Sequence, residues 1–300
     1  MKVEQRSKPI FSIVICTYNR FDFLESCLES IRFQLDKNIE ILIIDNFGDK
    51  KLEEYVSSLS KNIENIFYIF EKNKGLSFAR NKGFMVAKSD WILYLDDDTI
   101  IYPEFILRVK ELIKWNIYDC VGGMYYAKYK KERPKWIPEE HGTNKLFSAH
   151  LSECPYYIPH GCVVLYRKAY LIMLNGFSID FGMKGKEFGY AEETELQYRL
   201  EKVGGKIGFD PELKVGHFIH EDRLTPFNMI KLNYALGRGH RFDCKFSVWK
   251  RFKLLVFSFV GLFVKRIPEA LFKLIFFKHY YWQRAIIYIF GPTSYHLGRL

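Results

Sequence analysis

Motifs that mark two large classes of nucleotide-binding enzymes are missing from this 300-residue chain. No Gly-x-Gly-x-x-Gly follows the first apolar run, and no Gly-x-x-x-x-Gly-Lys-Ser/Thr occurs anywhere. These absences argue against a dinucleotide-binding dehydrogenase and against a P-loop NTPase. If the protein binds a nucleotide, side chains and a metal ion must hold it.

Paired cysteines and long apolar runs are also missing. The six cysteines form no Cys-x-x-Cys pair and show no metal-ligand spacing; they are Cys16, Cys27, Cys120, Cys154, Cys162 and Cys244. They are predicted to be small, mostly buried thiols in a reducing compartment. No stretch approaches the roughly 20 apolar residues that span a bilayer, and the first apolar run is too short for a signal peptide. We therefore expect a cytosolic protein.

Acidic residues are nearly absent from the C-terminal part. Residues 245–300 contain ten Lys or Arg and a single acid, Glu269, whereas residues 1–244 carry 35 basic and 34 acidic groups. The chain is therefore predicted to have a neutral domain, residues 1–222, and a basic amphipathic helical region, residues 223–300.

Short apolar runs alternate with segments of helical spacing. The predicted strands are 10–16, 39–44, 66–70, 91–95, 120–126, 161–166, 206–209 and 213–217, and the predicted helices are 21–33, 52–59, 77–88, 103–114, 168–174 and 192–203. Ser77 is the expected N-cap of the third helix. Such alternation predicts βαβ units, a mostly parallel sheet and an α/β fold class. Residues 127–158 and the glycine-rich segment 177–190, which contains Gly185, are predicted to be loops over a binding surface.

Three carboxylates, Asp96, Asp97 and Asp98, directly follow the predicted buried strand 91–95. Ligands of parallel sheets bind beyond the carboxyl ends of the strands. Adjacent acids repel one another unless a cation shares them, and carboxylate oxygens suit Mg²⁺ or Mn²⁺. Alternatively, the acids and Thr99 could cap the following helix. One cap needs one carboxylate, so three favour a metal site.

Other polar residues follow predicted strands and should share the same rim. Thr17 and Asp45 each come at a strand end. Arg80 and Asn81 could reach diphosphate oxygens, although an exposed charge on a helix face is the alternative for Arg80. His217 also ends a predicted strand.

Glu192, Glu193 and Glu195 open a predicted helix. Acids in a first turn complement the helix dipole, which is a structural explanation. A carboxylate facing the metal site could instead act as a general base. The local sequence does not separate the two explanations.

A series of short segments in order along the chain carries a family pattern: residues 12–20, 41–46, 73–81, 96–98, 191–196 and 215–217. Over residues 9–241 the sequence resembles the inverting, metal-dependent nucleotide-sugar glycosyltransferases of family 2. The resemblance implies a GT-A type, Rossmann-like, mostly parallel sheet flanked by helices. Two departures are Ala191, where the family usually has Gly, and Glu193, where Asp is commoner.

The resemblance also implies roles for individual residues. The implied nucleotide or substrate contacts are Thr17, Tyr18, Asn19, Arg20, Asp45, Asn73, Arg80, Asp96 and Asp97. Asp96, Asp98 and His217 would bind Mn²⁺ or Mg²⁺. Glu193 would be the catalytic base, with Glu192 as the competing candidate. The expected donor is a nucleotide-diphosphate sugar, most simply a UDP-sugar, and the expected acceptor is a glycan or a lipid-linked hydroxyl in bacterial polysaccharide or lipid-linked glycan synthesis.

The basic C-terminal region also holds fifteen Phe, Tyr or Trp residues after Lys245. Its predicted helices, 252–264 and 268–277, would span only about 20 Å and 15 Å. Basic patches with aromatics can bind nucleic acid, but Phe and Leu dominate here. The composition favours a peripheral position on the anionic inner face of the cell membrane and no nucleic-acid partner. Packing against the catalytic domain or a second subunit is the structural alternative, and the oligomeric state stays open.

Two other functions compete with glycosyl transfer. A sugar-1-phosphate nucleotidyltransferase would need a glycine-rich phosphate loop after the first strand, and residues 17–20 contain no Gly. A catalytically degenerate scaffold at the membrane would not need Asp96, Asp98, Glu193 and His217, which are all present.

Overall fold

A computed structural model of the chain describes residues 8–184, 188–242 and 247–300. It divides into two compact units. The described residues of 8–128, Gly142–Asp180 and Glu192–Phe218 form the first, which we call the sheet unit. Those of Tyr129–His141, Phe181–Ala191 and Ile219–Leu300 form the second, which we call the helical unit. Gly185, Cys244 and Lys245 lie outside the described residues, and the predicted boundary between 222 and 223 stays a prediction.

The sheet unit alternates strands and helices, as the sequence pattern predicted. Its strands are β1 Phe11–Thr17, β2 Ile39–Asp45, β3 Ile66–Phe70, β4 Trp91–Asp96, β5 Thr99–Ile101, β6 Cys120–Lys128, β7 Ser152–Glu153, β8 Val163–Arg167 and β9 Ile207–Phe218. Its helices are α1 Phe21–Arg32, α2 Lys50–Leu59, α3 Leu76–Val86, α4 Phe105–Trp115, α5 Lys168–Met173 and α6 Glu192–Lys202.

The strands form one sheet in the order β3-β2-β1-β4-β8-β6-β9-β5, with β7 paired to β9. β1, β2, β3 and β4 are mutually parallel, and β6 is parallel to β9. β8 is antiparallel to both β4 and β6, so six of the nine described strands point the same way. The predicted α/β class with a mostly parallel sheet is therefore confirmed.

The core lies on both faces of the sheet. In β1, Ile13 and Ile15 face one cluster while Val14 faces the other, and all three are fully buried. Such β-branched side chains suit a strand that is covered on both sides. α1, α2 and α4 cover one face, and α3, α5 and α6 cover the other.

Two short strands, β5 and β7, were not predicted, and the predicted strands 206–209 and 213–217 are one strand, β9. The register between β6 and β9 shifts here, because Gly123 pairs with Asp210 whereas the next residue, Met124, pairs with Lys214. This shift explains the apparent interruption. Pro211, which has no N–H to donate, lies in the stretch left over by this bulge.

The predicted cap at Ser77 was wrong, and so was the alternative explanation that Thr99 caps a helix. Helix α3 begins at Leu76 after Gly75, whose φ of 143° suits glycine, so Ser77 lies inside the helix. Thr99 does not cap a helix, because it belongs to β5 and pairs with His217.

The helical unit contains α7 Pro226–Gly239, α8 Val248–Gly261, α9 Ile267–Phe276 and α10 Trp282–Arg299. A π-helical turn, Leu262–Arg266, joins α8 to α9, so the chain is helical from Val248 to Phe276. The two separate predicted helices are thus one longer run. A widened turn just before Pro268 accommodates a residue that lacks a backbone donor.

α7 and α10 approach each other closely. Ser294 donates to the carbonyl of Ile230, and a Cβ placed on Gly298 would lie 2.0 Å from the carbonyl oxygen of Tyr234. Contacts one turn apart on both helices mean that the two run in the same direction. In the part of the chain that the structure describes, no helix has both the length and the apolar composition that a membrane crossing requires.

Candidate active site

The acidic cluster lies where β4 ends and the short strand β5 begins. β5 is antiparallel to β9, and the amide of Phe218 donates to the carbonyl of Asp98 over 2.8 Å. This pairing brings His217 Nε2 within 3.2 Å of Asp98 Oδ1. One ligand atom each from Asp96, Asp98 and His217 lies within 4.8 Å of the others. Two carboxylates and one imidazole fit a divalent cation such as Mn²⁺ or Mg²⁺.

Asp97 faces the loop after β1. Thr17 Oγ1 donates to Asp97 Oδ2 over 2.7 Å, and Arg20 Nη1 lies 3.2 Å from Asp97 Oδ1 and 3.1 Å from Asp98 Oδ2. Burial raises the pKa of Asp97 to about 7, although the Arg20 charge opposes the shift. Asp97 thus anchors the first loop to the acidic cluster, which brings the predicted residues Thr17 and Arg20 to the site.

Asp45, at the end of β2, is fully buried. Its Oδ1 accepts hydrogen bonds from the amides of Phe47 and Gly48, and its Oδ2 accepts from the amide of Asp49 and the hydroxyl of Tyr68. This carboxylate therefore fixes its own loop, while its predicted contact with a nucleotide stays a prediction.

The neighbouring Asn46 connects the loop after β2 with the loop after β3, a role that no sequence pattern predicted. Its Nδ2 donates to the carbonyls of Glu71 and Asn73, and its Oδ1 accepts from the amide of Gly75. Asn73 itself is exposed. Asn46 thereby holds the loop that carries Asn73 beside the end of β2.

An aromatic pair with a cation lies at this edge. The rings of Tyr18 and Phe47 meet edge to face at 5.3 Å, and Lys74 Nζ lies 5.0 Å and 5.2 Å from their centroids. Asn19 adopts a left-handed φ of 54°, which asparagine tolerates. Phe47 and Lys74 were not predicted, because Phe47 lies outside the family segments and Lys74, although within residues 73–81, was given no role.

Arg80 is buried, so the exposed helix-face explanation is wrong. Its Nη1 donates to Glu192 Oε1 over 2.6 Å and lies 4.0 Å from Glu193 Oε2. Its Nη2 lies 3.3 Å from Asp96 Oδ1 and 3.4 Å from the carbonyl oxygen of Gly161. Arg80 therefore links Asp96 of the acidic cluster to the pair of glutamates.

Aromatic rings and a glycine create the space for this guanidinium. Arg80 lies over Phe177 and Tyr94, at 5.4 Å and 5.9 Å from their centroids. A Cβ on Gly161 would be 2.5 Å from Arg80 Nη2, so only glycine fits without a shift. The side-chain amide of Asn81 forms two 2.8 Å hydrogen bonds with the backbone of Phe177, which hold Phe177 beside Arg80. Asn81 is therefore a support for Arg80 in this structure.

Glu192 and Glu193 differ in environment although they are neighbours. Burial and repulsion by Glu193 raise the pKa of Glu192 to about 8. Burial alone would raise the pKa of Glu193, but the Arg80 charge and a hydrogen bond with Glu192 outweigh it and lower that pKa. The two shifts are in opposite directions and favour Glu193 as the ionised member of the pair.

His160, which no sequence pattern singled out, lies beside this pair in the loop before β8. Because β8 is antiparallel to β4, its first residues are at the rim where β4 ends, and the amide of Asp96 donates to the carbonyl of Cys162. The His160 ring meets the ring of Tyr125 at 5.5 Å. Desolvation lowers the pKa of His160, while the charge of Glu193 opposes the shift.

Comparison with known protein families gives a match to the model of glycosyl transferase family 2 over residues 12–172, more than half of the chain. The chain belongs to that family. The predicted resemblance to family 2 is therefore confirmed, and this family 2 protein is a glycosyltransferase.

Relatives of this family 2 glycosyltransferase occur in several bacteria. It is 29% identical over 140 residues to "Uncharacterized glycosyltransferase EpsJ" of Bacillus subtilis (strain 168), covering 47% of this chain and 40% of that protein. It is 22% identical over 248 residues to "Uncharacterized glycosyltransferase RT0329" of Rickettsia typhi (strain ATCC VR-144 / Wilmington), covering 80% of this chain and 71% of that protein. It is also 34% identical over 68 residues to "Glycosyltransferase GlyA" of Streptococcus pneumoniae serotype 4 (strain ATCC BAA-334 / TIGR4), covering 23% of this chain and 10% of that protein.

Membership of the family implies a nucleotide-sugar donor and a glycan acceptor in general terms, and family 2 enzymes often use a divalent metal. The family match ends at residue 172, before Glu193 and His217. The assignment of these two residues therefore depends on their geometry.

Proposed function

We propose that this glycosyltransferase moves a sugar from a nucleoside-diphosphate donor, a UDP-sugar, to an acceptor hydroxyl with inversion at the anomeric carbon, in the presence of Mn²⁺ or Mg²⁺. The observation that carries the proposal is that the candidate cation cluster, a buried arginine and a glutamate converge. Asp96, Asp98 and His217 lie within 4.8 Å of one another, and Arg80 joins Asp96 to Glu193.

The metal site and the base divide the chemistry between them. Asp96, Asp98 and His217 would hold the cation, which stabilises the negative charge of the leaving nucleoside diphosphate when it is bound. Glu193 accepts the proton of the acceptor hydroxyl as its oxygen attacks the anomeric carbon. The new carbon–oxygen bond forms on the face opposite the bond to the diphosphate, which breaks, so the configuration inverts.

Glu193 is a better base than Glu192 for two reasons. Its lowered pKa favours the ionised form at neutral pH, whereas burial and repulsion by Glu193 raise the pKa of Glu192 to about 8. In addition, Glu192 Oε1 is held by Arg80 at 2.6 Å and the side chain of Glu192 is the more buried of the two. Glu192 is accordingly a positioning residue that fixes Arg80.

The nucleotide is assigned to the rim formed by the loops after β1, β2 and β3. The residues assigned to it are Thr17, Tyr18, Asn19, Arg20, Asp45 and Asn73, with Asp96 sharing the ribose or the cation. Asp97 and Arg80 contribute mainly by holding this rim together, since their hydrogen bonds go to protein groups. Arg80 also supplies positive charge near the diphosphate.

A combined binding and turnover screen tests this function. Thermal shift with UDP-glucose, UDP-galactose, UDP-N-acetylglucosamine and the corresponding GDP- and dTDP-sugars is measured with Mn²⁺ and with EDTA. At least one donor should stabilise the protein in a Mn²⁺-dependent way and be slowly hydrolysed. Asp98→Asn should weaken Mn²⁺ binding at least about tenfold, whereas Asp36→Asn, an acid away from the cluster, is the matched control.

Two outcomes of the screen would contradict glycosyl transfer. Silence with every donor would favour a degenerate scaffold. Release of pyrophosphate from a nucleoside triphosphate and a sugar 1-phosphate would identify a nucleotidyltransferase.

We also propose that the helical unit binds the anionic inner face of the cell membrane, where a lipid-linked or polysaccharide acceptor would be made. The run from Val248 to Phe276 exposes large apolar side chains on the face away from its buried stripe; they include Trp249, Phe257, Val260, Val264, Leu271 and Ile275. A surface helix in water normally presents polar residues there. Lys250, Lys253 and Lys265 are also exposed on this run, which suits anionic lipid.

Flotation with liposomes tests the membrane proposal. The intact protein should float with vesicles that contain phosphatidylglycerol and less with vesicles of phosphatidylcholine alone, and the difference should shrink in high salt. Equal recovery with both lipids would remove the electrostatic part of the proposal. A stable dimer without lipid binding would instead assign the apolar face to a second copy.

A further inference from the structure

The sheet unit contains an imidazole whose role the proposed reaction leaves unassigned. His160 is exposed at the surface although the surrounding protein partly desolvates its ring, and it immediately precedes Gly161, whose amide lies 3.4 Å from Glu193 Oε1. The charge of Glu193 acts on the His160 ring. His160 therefore lies at the entrance to the base, on the side that solvent reaches.

Tyr125 contacts the rings of both His160 and His217. The His160 and Tyr125 rings meet edge to face at 5.5 Å, and the Tyr125 and His217 rings meet at 5.9 Å. The cluster that could bind a cation includes His217 and not His160. His160 therefore lies near Glu193 without belonging to the candidate cation site.

The nitrogens of His160 are available to a ligand. Within the described ranges, neither ring nitrogen of His160 has a hydrogen bond to a protein group. The pKa of the ring is affected by desolvation and by the charge of Glu193. A neutral imidazole offers one donor and one acceptor. This pair of functions matches the hydroxyl groups of a sugar.

We propose that His160 binds the acceptor sugar, through a hydroxyl next to the one that attacks, and so aligns the attacking oxygen with Glu193. This inference rests on the proposed function, because it assigns the second substrate of the same reaction. The proton of the attacking hydroxyl still goes to Glu193, and His160 contributes a hydrogen bond without changing its own protonation.

A proton relay from Glu193 to His160 explains the arrangement less well. The pKa of Glu193 lies below that of an ordinary glutamate, so its proton is lost to water readily after each transfer. Holding the acceptor therefore remains the role that an exposed imidazole can fill here.

The test compares two fates of the donor sugar. With Mn²⁺ and the donor found in the screen, transfer to methyl glycosides of glucose, galactose and N-acetylglucosamine is measured beside hydrolysis by water. His160→Ala should lower the ratio of transfer to hydrolysis about tenfold, since one hydrogen bond to the acceptor is lost. His160→Gln, which keeps a donor and an acceptor, should restore part of the ratio. His150→Ala, which alters another exposed histidine of the same unit, should keep the wild-type ratio.

An unchanged ratio in His160→Ala, or one that His160→Gln fails to improve, would overturn the inference. A second measurement does not depend on turnover. The imidazole ¹H–¹⁵N signal that disappears in His160→Gln should shift when a methyl glycoside is added with UDP and Mg²⁺, and an unmoved signal would also overturn it. A protein that hydrolyses no donor and yet shows this shift would contradict the proposed transfer while retaining the acceptor site.

Discussion

The rim of the sheet unit and the outer face of the helical unit reverse the usual distribution of polarity. At the rim, charged side chains such as Arg80, Asp97 and Glu192 are at most 4% exposed and are held by partners. On the helical run, Trp249 and Val264 are each 75% exposed. Burying charge and exposing apolar surface both cost stability in water. Each cost points to a function: a preorganised charged site in one unit and a covered apolar face in the other.

The largest expected effect separates the two neighbouring glutamates of the rim. Glu193→Gln should lower transfer by about 100- to 10,000-fold, the usual contribution of a general base, while the donor still stabilises the protein. Glu192→Gln should cost far less, since glutamine imitates the protonated carboxyl that Arg80 holds. Initial rates with saturating donor and thermal shifts of both variants give the comparison. Near wild-type turnover in Glu193→Gln would reassign the base to Glu192.

The same pair predicts how stability depends on pH. The pKa of Glu192 is about 8 in the fold and near 4.3 in an unfolded chain. The folded state therefore binds the extra proton, so this contribution to stability is full below about pH 4.3 and is lost as the pH rises through about 8. The slope is at most about 1.4 kcal/mol per pH unit. Urea unfolding from pH 5 to 8 should show a smaller decline for Glu192→Gln than for the wild type, and parallel curves would contradict the raised pKa.

The helical unit offers a matched pair of glycines with opposite predictions. A Cβ on Gly298 would lie 2.0 Å from the carbonyl oxygen of Tyr234, so Gly298→Ala should destabilise the unit by about 1–3 kcal/mol. Gly261 has nothing within 4 Å of such an atom, and Gly261→Ala should stabilise the helix by up to about 1 kcal/mol. Unfolding followed by tryptophan fluorescence distinguishes them. Equal effects would mean that the close contact of α7 and α10 does not form.

The exposed apolar face predicts a smaller effect on membrane binding. Phe257 is 71% exposed on the helical run, and Phe33, 79% exposed in the sheet unit, is its matched control. Burying a Phe side chain is worth about 1.5–3 kcal/mol, so Phe257→Ser should reduce partition into liposomes about tenfold or more. Phe33→Ser should float like the wild type. If both substitutions reduce flotation equally, the helical run is not the binding face.

Local sequence predicted the strands of the sheet unit well where they are long and apolar. It predicted them poorly where a short strand forms only by pairing with a distant one. The buried run 91–95 became β4 with Asp96 at its end. β5 has three residues and exists because Thr99, Ile100 and Ile101 pair with β9, more than 100 residues away. No local pattern of residues could reveal that contact.

Side-chain roles followed the same rule. The convergence of Asp96, Asp98 and His217 could be predicted because acids and a histidine followed strands, which bring their ends to one rim. The burial of Arg80 could not, since its carboxylate partner Glu192 is 112 residues away and a lone arginine on a helix usually faces water. His160 carried no signal at all, because a single histidine before a strand belongs to no motif.

The smallest expected effect concerns the residue before the two glutamates. Ala191 has a φ of 76°, a left-handed conformation that costs an alanine roughly 1–2 kcal/mol. Ala87 is equally buried, at 4% exposure, but has a φ of −58°. Replacing either by glycine removes one buried methyl, about 0.8 kcal/mol, and adds about 0.4–1 kcal/mol of unfolded-state entropy. Ala87→Gly should therefore lose about 1–2 kcal/mol in urea unfolding, whereas relief of strain should leave Ala191→Gly close to the wild type. Equal losses in the two variants would mean that the turn before Glu192 is unstrained, and glycine would then bring no advantage at position 191.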